Sequence, residues 1–241
     1  MVNAIIRWCL RNTFLVLVAV AAILGAGWYA LTNTPVYVVR NVPEARFGEG
    51  PGRPDLVAHL KDGNKHLVFL GALQKEKGAR YMLQLLEYLP ADFVLDCFSG
   101  RTDKNAFFSE AAARRKVSAR VHIHELVPQA ELCATIRHAF AGISVFVPSS
   151  RIYQYALPNK LFEYFLAGLP VITSNARAQA ELVSETGLGL VVDLADPEGS
   201  AKRIAAWTPP AVTRDVVERH GLTWEQEERE LARVYRDLGI L

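Results

Sequence analysis

The chain has 241 residues, of which 51% are hydrophobic and 22% are charged. These ordinary globular values, at this length, allow one large domain or one domain with an appendage. The formal net charge of +2, with basic residues scattered along the chain, argues against a nucleic-acid-binding protein that depends on attraction to phosphates.

The first predicted element is an apolar helix, "FLVLVAVAAILGAGWYAL", which runs without a charge from residue 14 to 31. At about 1.5 Å rise per residue it nearly spans a hydrocarbon core of roughly 30 Å. Trp8, Trp28 and Tyr29 stand at its ends, where aromatic rings favour the membrane interface. We predict an uncleaved membrane helix within residues 1–35. The main alternative is a cleaved signal peptide, although its apolar core would be shorter and no small-x-small cleavage site follows; a buried core helix is the third alternative.

This segment has a family resemblance of its own. The stretch "IIRWCLRNTFLVLVAVAAILGAGWYALTNTPV" resembles the first transmembrane helix of the heavy-metal efflux pumps of the resistance-nodulation-division superfamily. The resemblance covers about residues 1–36 and implies anchorage in an inner membrane. The large periplasmic domain of such pumps has no counterpart in the rest of the sequence, so no pump chemistry is implied.

After Pro35 short apolar strands alternate with helical stretches, a pattern typical of βαβ units and a mostly parallel sheet. Strands are predicted over residues 36–39, 66–71, 92–98, 120–124, 143–148, 170–174 and 189–193. Helices are predicted over residues 79–89, 104–116, 129–140, 178–187, 197–207 and 223–241, with another that begins near Pro158. Residues 44–54 are rich in glycine and proline and are interpreted as a linker.

The predicted fold class is α/β, a Rossmann-like parallel sheet with helices on both faces, preceded by one transmembrane helix. We predict a membrane helix over residues 1–35, a linker with a short strand over 36–65, and a Rossmann-like domain with C-terminal helices over 66–241. In such sheets ligands bind beyond the carboxyl ends of the strands, at helix N-termini.

Two places in this chain fit that rule. In "GALQKEKGAR", Gly71 ends a strand and permits close backbone approach, and Lys77 supplies positive charge just before a helix. The alternative there is a solvated lysine loop. In "LPNKLFEYF", Asn159 and Lys160 follow Pro158 where a phosphate would meet the positive end of a helix dipole. Glu163 lies one turn later on the same face as Asn159; it is suited to a ribose diol, or else is a solvated or capping side chain.

At these residues the sequence resembles a known family. The motif "LPNKLFEYFLAGLPVITS" is similar to the donor-binding signature of the retaining GT-B glycosyltransferases of the group-1, glycogen-synthase-like family. The resemblance covers about residues 36–238, and also includes "VVRNVP", "LVFLGALQKEKG", "VPQAEL", "GLGLVVDLADP" and "TWEQEERELARVYRDL". It implies the C-terminal half of a GT-B fold, which binds a nucleoside diphosphate sugar and transfers the sugar with retention, without a metal or other cofactor.

The resemblance assigns a role to each of several residues. Lys77 would contact the donor diphosphate, and Pro158, Asn159 and Lys160 would form the phosphate-facing start of the helix. Glu163 would hold the ribose hydroxyls. Val127 would lie in the loop that approaches the nucleobase, and Gly71 would end the first strand beside the donor. No catalytic residue is assigned.

The sequence departs from the family pattern at two positions. Ala72 directly follows the strand glycine, where many members have an arginine, so one diphosphate contact is lost. Tyr155 stands eight residues before Glu163, where many members have a second glutamate near the transferred sugar. We expect donor binding to persist, while the identity of the sugar is not indicated.

The resemblance also implies an acceptor-binding domain of roughly 150 to 200 residues before "VVRNVP". The apolar helix stands in that place, so we expect weak donor binding, little transfer by this chain alone, and a separate acceptor-binding domain as a partner. The two different resemblances indicate parts of different ancestry, joined near residues 34–38.

Membrane orientation raises a further expectation. Arg7 and Arg11 precede the apolar helix and Arg40 and Arg46 follow it, so the positive-inside bias is slight. Because nucleotide sugars are cytosolic, we expect the soluble domain to need the cytosol for function. Two other functions stay open: a non-catalytic membrane-anchored Rossmann-like binding protein, and a truncated efflux-pump fragment.

A metal site is not predicted. His122 and His124 alternate on a strand and share a face, so a metal pair is one alternative. No third ligand is evident, and we interpret them as a surface or cleft-edge pair. Cys9, Cys97 and Cys133 lack metal spacing and are interpreted as small hydrophobic residues in a reducing compartment.

Overall fold

The computed structural model describes residues 2–74, 77–100 and 105–240. The chain divides into two compact units, Met1–Val39 and Arg40–Leu241. The first unit holds the helices α1 (Val2–Arg11) and α2 (Thr13–Asn33), in which no described residue is buried. The predicted apolar helix is α2, and by length and composition it is long and apolar enough to cross a membrane.

The second unit is built on one six-stranded parallel sheet, which confirms the predicted fold class. Its strands are β1 (Lys65–Leu70), β2 (Phe93–Phe98), β3 (Val121–His124), β4 (Ala141–Ser144), β5 (Val171–Ser174) and β6 (Gly189–Val192). Their order in the sheet is β3-β2-β1-β4-β5-β6, and every neighbouring pair is parallel.

Helices cover both faces of this sheet, which is why strands such as "FVLDCF" are buried along their whole length. The helices are α3 (Pro54–His59), α4 (Ala79–Tyr88), α5 (Ala106–Arg114), α6 (Gln129–Ile136), α7 (Arg151–Tyr155), α8 (Asn159–Leu166), α9 (Arg177–Thr186), α10 (Pro197–Ala206), α11 (Arg214–Arg219) and α12 (Trp224–Asp237). Leu67 and Phe69 of β1 face a core formed with α4, α5 and α10. Val68 and Leu70 face the opposite core, formed with α6, α8, α9 and α11.

Several predicted elements differ from the structure, among them the last helix, which is predicted to reach residue 241 but ends at Asp237. Residues 36–39 are predicted as a strand but have no regular secondary structure, and Val36 is 86% exposed. These residues pair with no strand of the sheet, and β propensity alone does not make a segment a strand. The helix predicted to end at residue 140 ends at Ile136. Strand β4 ends at Ser144 because both backbone groups of Phe146 pair with the Ser174 hydroxyl.

The sheet changes direction between β1 and β4, where the chain winds outward to β2 and β3 on one side and to β5 and β6 on the other. The Tyr164 hydroxyl of α8 bridges these two strands: it accepts a hydrogen bond from the Leu70 amide at 2.9 Å and donates to the Ile143 carbonyl at 3.3 Å. The start of α8 is therefore fixed at the point where ligands bind in such sheets.

The segment that leads into the sheet is tied to the last helix. The Arg40 guanidinium donates to Glu227 at 2.6 Å and to the Gly221 carbonyl at 2.7 Å, and Glu227 is almost fully buried. The Trp224 amide donates to the Pro43 carbonyl at 3.0 Å. These hydrogen bonds join the first residues of the second unit to its last helix, α12, and to the turn before that helix.

Candidate functional site

A cavity of about 370 Å³ lies at the carboxyl ends of the central strands, in front of α8. Six of the seven predicted site residues line it: Gly71, Lys77, Val127, Pro158, Lys160 and Glu163. The loop after β1 and the start of α8, which the sequence marked as separate places, thus face one common space.

Gly71 makes the turn that leaves β1 at this cavity. Its φ of +104° is a left-handed conformation that residues with a Cβ rarely adopt, although the space beside it is open. Its amide donates to the Phe98 carbonyl at 2.9 Å, which continues the pairing of β1 with β2 by one residue. Glycine is needed here for the backbone conformation, not for room.

The N-terminus of α8 points free amide groups toward the cavity. The helix begins at Asn159, with Pro158 in the extended cap position, one residue outside the first turn predicted for it. No described side chain caps this end, and the Leu161 amide is the first that bonds back, to the Pro158 carbonyl at 3.0 Å. Amides without partners and the helix dipole together favour an anion at this position.

Asn159 is the predicted residue that does not line the cavity. Its side chain is exposed, and its Oδ1 accepts a hydrogen bond from Asn41 Nδ2 at 3.2 Å. Its backbone amide still belongs to the free end of α8.

Lys160 is a buried cation that forms no ion pair among the described residues. The side chain is 7% exposed, and its Nζ lies 3.8 Å from the centre of the Phe69 ring and 5.7 Å from that of Phe146. Among the described residues, Nζ has no hydrogen-bond partner. Burial, together with repulsion from Lys77, lowers the pKa of Lys160 to about 7. Two aromatic faces cannot replace the hydration that this ammonium has lost.

Glu163 lies one turn further along α8, half-buried at the edge of the same cavity. Burial raises the pKa of its carboxyl group, while the nearby Lys160 opposes that shift. No hydrogen bond to this carboxylate occurs within the described part of the chain. The carboxylate is therefore available to accept hydrogen bonds from a ligand that enters the cavity.

The remaining walls are largely apolar, and of the residues that form them Val127 alone was predicted. Val127 and Leu126 form one side, together with Phe98, and Phe47 reaches in from the linker. A larger space of about 720 Å³ adjoins this cavity through Phe47 and Gln129, and none of the predicted site residues lines it. Such contributions come from loops that are distant in sequence, so no local motif marks them.

A second polar cluster lies away from this cavity. Two further possible metal ligands, Asp96 and His59, lie beside His124, and the sequence did not reveal them. His59 Nε2 and His124 Nε2 both donate to Asp96 Oδ1 at 2.7 Å. His122 and His124 are partly exposed, as a surface or cleft-edge pair would be, but the expectation that no third ligand lies near them is wrong, because His59 and Asp96 lie beside His124.

The fold and the cavity define a class of protein: a Rossmann-like α/β domain whose cleft lies at the topological switch point. Solved GT-B structures have the same fold. A glycosyltransferase from Rickettsia africae superposes with a TM-score of 0.67 at 13% identity, covering 88% of this chain and 61% of that one. HepE from Anabaena, solved with UDP and glucose, gives 0.61 at 14% identity, covering 83% and 56%. A sucrose-phosphate synthase from Thermosynechococcus elongatus gives 0.60 at 18% identity, covering 88% and 56%.

The chain belongs to the group-1 glycosyltransferases. Residues 64–208 match the sequence profile described as "Glycosyl transferases group 1". The chain is also 28% identical over 188 residues to spore coat protein SA of Bacillus subtilis (strain 168), an alignment that covers 73% of this chain and 47% of that relative. The chain thus spans about half the length of the curated relative it matches.

Proposed function

We propose that residues 66–241 bind the nucleoside diphosphate sugar of a retaining glycosyltransferase, and that residues 36–65 link this domain to a membrane helix within residues 1–35. The proposal rests on the environment of Lys160. Its buried ammonium group lies at the N-terminus of α8 and has no hydrogen-bond partner among the described residues. A diphosphate would supply the missing charge. The GT-B relative solved with UDP and glucose supports this ligand class.

The parts of the donor fit different walls of the cavity. The diphosphate would lie against the free amides of Asn159 and Lys160, between the ammonium groups of Lys160 and Lys77. The ribose hydroxyls would donate to Glu163, one helical turn away. The base would lie toward Val127, where the wall is apolar.

The same groups would act on the reaction. In glycosyl transfer the bond between the anomeric carbon and the diphosphate oxygen breaks, a bond to the acceptor hydroxyl oxygen forms, and the hydroxyl proton passes to the leaving diphosphate. Negative charge then develops on the leaving diphosphate. Cations and helix amides that are already in place stabilise this charge without reorganisation. We assign this role to Lys160, Lys77 and the start of α8.

Transfer also needs an acceptor opposite the donor. We propose that an acceptor-binding domain faces this cavity in the active assembly. Without that domain, this chain would bind the donor but transfer little sugar. Helix α2 would hold the assembly at a membrane, with the second unit in the cytosol, where nucleotide sugars are found.

One observation favours donor binding without transfer as a second candidate. Tyr155, where the family often has its second glutamate, is exposed and accepts a hydrogen bond from Arg177 Nη1 at 3.2 Å. It does not line the cavity. A chain that keeps the diphosphate groups but not this carboxylate would bind a nucleotide sugar without transferring it.

Calorimetric titration of the full chain in detergent with UDP, GDP and their sugars tests the proposal. We expect saturable binding of at least one nucleotide. Lys160→Met and Glu163→Gln should each weaken it about 10- to 100-fold, since a hydrogen bond to a charged group contributes about 1.5 to 3 kcal/mol.

Lys202→Met and Glu181→Gln are matched controls, because both side chains are exposed and lie outside the cavity. They should bind like the unchanged chain. If no nucleotide binds, or if the cavity variants bind as well as the controls, the proposed function is wrong. Retention is tested separately, by the anomeric configuration of any glycoside product.

A further inference from the structure

Four of the six histidines in the chain gather around one buried carboxylate. Asp96 lies on β2 and is fully buried. Its Oδ1 accepts from His59 Nε2 and His124 Nε2, both at 2.7 Å, and its Oδ2 accepts from His66 Nδ1 at 2.6 Å. We call these residues, with His122, the histidine cluster.

The cluster joins four elements on one face of the sheet, and His66 lies on one of them, β1. His124 ends β3, Asp96 lies on β2, and His59 ends α3. The side chains of His59 and His124 are 27% and 18% exposed, whereas that of Asp96 is 0% exposed. A small ion can therefore reach the two imidazoles from solvent while the carboxylate stays fixed beneath them.

We propose that His59 Nε2, His124 Nε2 and Asp96 Oδ1 bind a divalent transition-metal ion of the zinc class. One possible ligand atom from each of these three residues lies within 4.8 Å of those of the other two. Two imidazoles and one carboxylate form a ligand set that suits zinc, cobalt or nickel better than magnesium or calcium, which prefer oxygen. The fourth position would hold water or His122, whose ring centre lies 4.9 Å from that of His59.

The contacts of Asp96 with His59 and His124 need only a small movement to admit the ion. Ligand atoms of a tetrahedral zinc site lie about 3.3 Å apart, given metal–ligand bonds of about 2.0 to 2.1 Å. The two contacts of 2.7 Å would therefore widen by roughly half an ångström. Metal binding needs an unprotonated Nε2, so the proton that each Nε2 now donates to Asp96 would move to Nδ1 of the same ring or be released to solvent.

His66 is built as the support of such a site. Its Nδ1 donates to Asp96 Oδ2 at 2.6 Å and its Nε2 donates to Asp62 Oδ1 at 2.9 Å. Both ring nitrogens therefore carry protons, and the fully buried ring fixes the Asp96 carboxylate with Oδ1 turned toward His59 and His124. Partners of this kind orient metal ligands and affect metal affinity about 10- to 100-fold.

The site is separate from the donor cavity but shares a wall with it. The Phe98 ring lies 4.9 Å from that of His124 on one side and lines the donor cavity on the other. A bound ion would fasten α3 and the edge strand β3 to the centre of the sheet. Its role would be structural, because it would hold the start of the loop that carries Val127.

Metal titration of the full chain tests this inference independently of nucleotide binding. The tag-free, chelator-washed protein in detergent is titrated with Zn²⁺ by calorimetry and with Co²⁺ by visible absorption. We expect one ion per chain, the intense visible bands of a tetrahedral cobalt site, and a rise in the thermal midpoint with Zn²⁺.

His59→Gln and His124→Gln should lose the cobalt bands, and His66→Gln should weaken zinc binding about 10- to 100-fold. His138→Gln and His220→Gln are controls outside the histidine cluster and should bind like the unchanged chain.

The titration of the unchanged chain is decisive even if a variant fails to fold. Absence of zinc and cobalt binding there overturns the proposal and leaves the histidine cluster as a hydrogen-bonded network. Binding that survives in folded His59→Gln and His124→Gln proteins overturns it too. Nucleotide binding measured on the same samples shows separately whether the donor cavity is functional.

Discussion

At the scale of single residues, Lys160 shows a conflict between stability and function. The Lys160 ammonium group has lost its hydration, and among the described residues it contacts the rings of Phe69 and Phe146 but no hydrogen-bond acceptor. Its pKa falls from 10.5 to about 7, so the free protein is destabilised by holding it charged. A diphosphate in the cavity would remove this penalty. Lys160, which we propose binds the donor, thus destabilises the protein when no ligand is bound.

We predict that Lys160→Met stabilises the ligand-free protein while it weakens nucleotide binding. The expected gain is about 1 to 4 kcal/mol, as when buried ionic groups are replaced by apolar ones. Between pH 7 and 10.5 the unfolded lysine holds more protons than the folded one, so stability of the unchanged chain rises with pH across this window. The advantage of Lys160→Met should therefore be largest at or below pH 7 and shrink toward pH 10.

Denaturant unfolding near pH 6 and near pH 9.5 measures this difference, with Lys202→Met as the control that should show no such trend. A Lys160→Met protein that is less stable than the unchanged chain at both pH values would contradict the prediction.

At the scale of elements, the position of the cavity depends on how α8 crosses the two central strands. Gly142 of β4 allows the Tyr164 ring to pack directly on the strand, since a Cβ there would come within 2.2 Å of Tyr164 Cγ. The Tyr164 hydroxyl then bonds Leu70 and Ile143 where β1 and β4 diverge. One buried side chain thus joins the strand that ends at Gly71 to the helix that carries Lys160.

We predict that Tyr164→Phe lowers the free energy of unfolding by about 1 to 3 kcal/mol, because it leaves the buried Leu70 amide without its partner. Tyr88→Phe, at an exposed site on α4, should change stability little. Chemical unfolding followed by circular dichroism compares the two variants. Equal stability of the two would show that the bridge contributes nothing.

At the scale of the whole molecule, the chain combines two units of different character. Every described residue of α2 is unburied and apolar residues dominate it, whereas the second unit has two buried cores and its own closing ion pair between Arg40 and Glu227. The second unit therefore contains the interactions needed to fold by itself, and the first contains the surface that suits a lipid environment.

We predict that a chain of residues 40–241 is soluble, cooperatively folded and binds the same nucleotide with unchanged affinity. The full chain should instead sediment with membranes and need detergent for extraction. Fractionation, thermal unfolding and calorimetry check these outcomes. Aggregation of residues 40–241, or a full chain found in the soluble fraction, would contradict the proposed division of roles.

The alternation of strands and helices could be predicted from the sequence, because buried parallel strands and amphipathic helices have distinct periodicities. The sequence also marked Gly71, Lys77, Pro158, Lys160 and Glu163, since a glycine after a strand and a polar helix start are local patterns. Helices α3, α7 and α11, of five or six residues, are too short to show a helical period, and the sequence missed them.

Which of these local features lie close together depends on how the strands and helices pack. The order of the strands places the ends of β1 and β4 side by side, so Lys77 and Lys160 face one cavity although a whole half of the sheet separates them in sequence. The strand order, with the packing of α3, also brings His59, Asp96 and His124 close together. Burial, unpaired charge and converging ligands are properties of contacts between distant segments, and a periodic pattern within one segment contains no information about them.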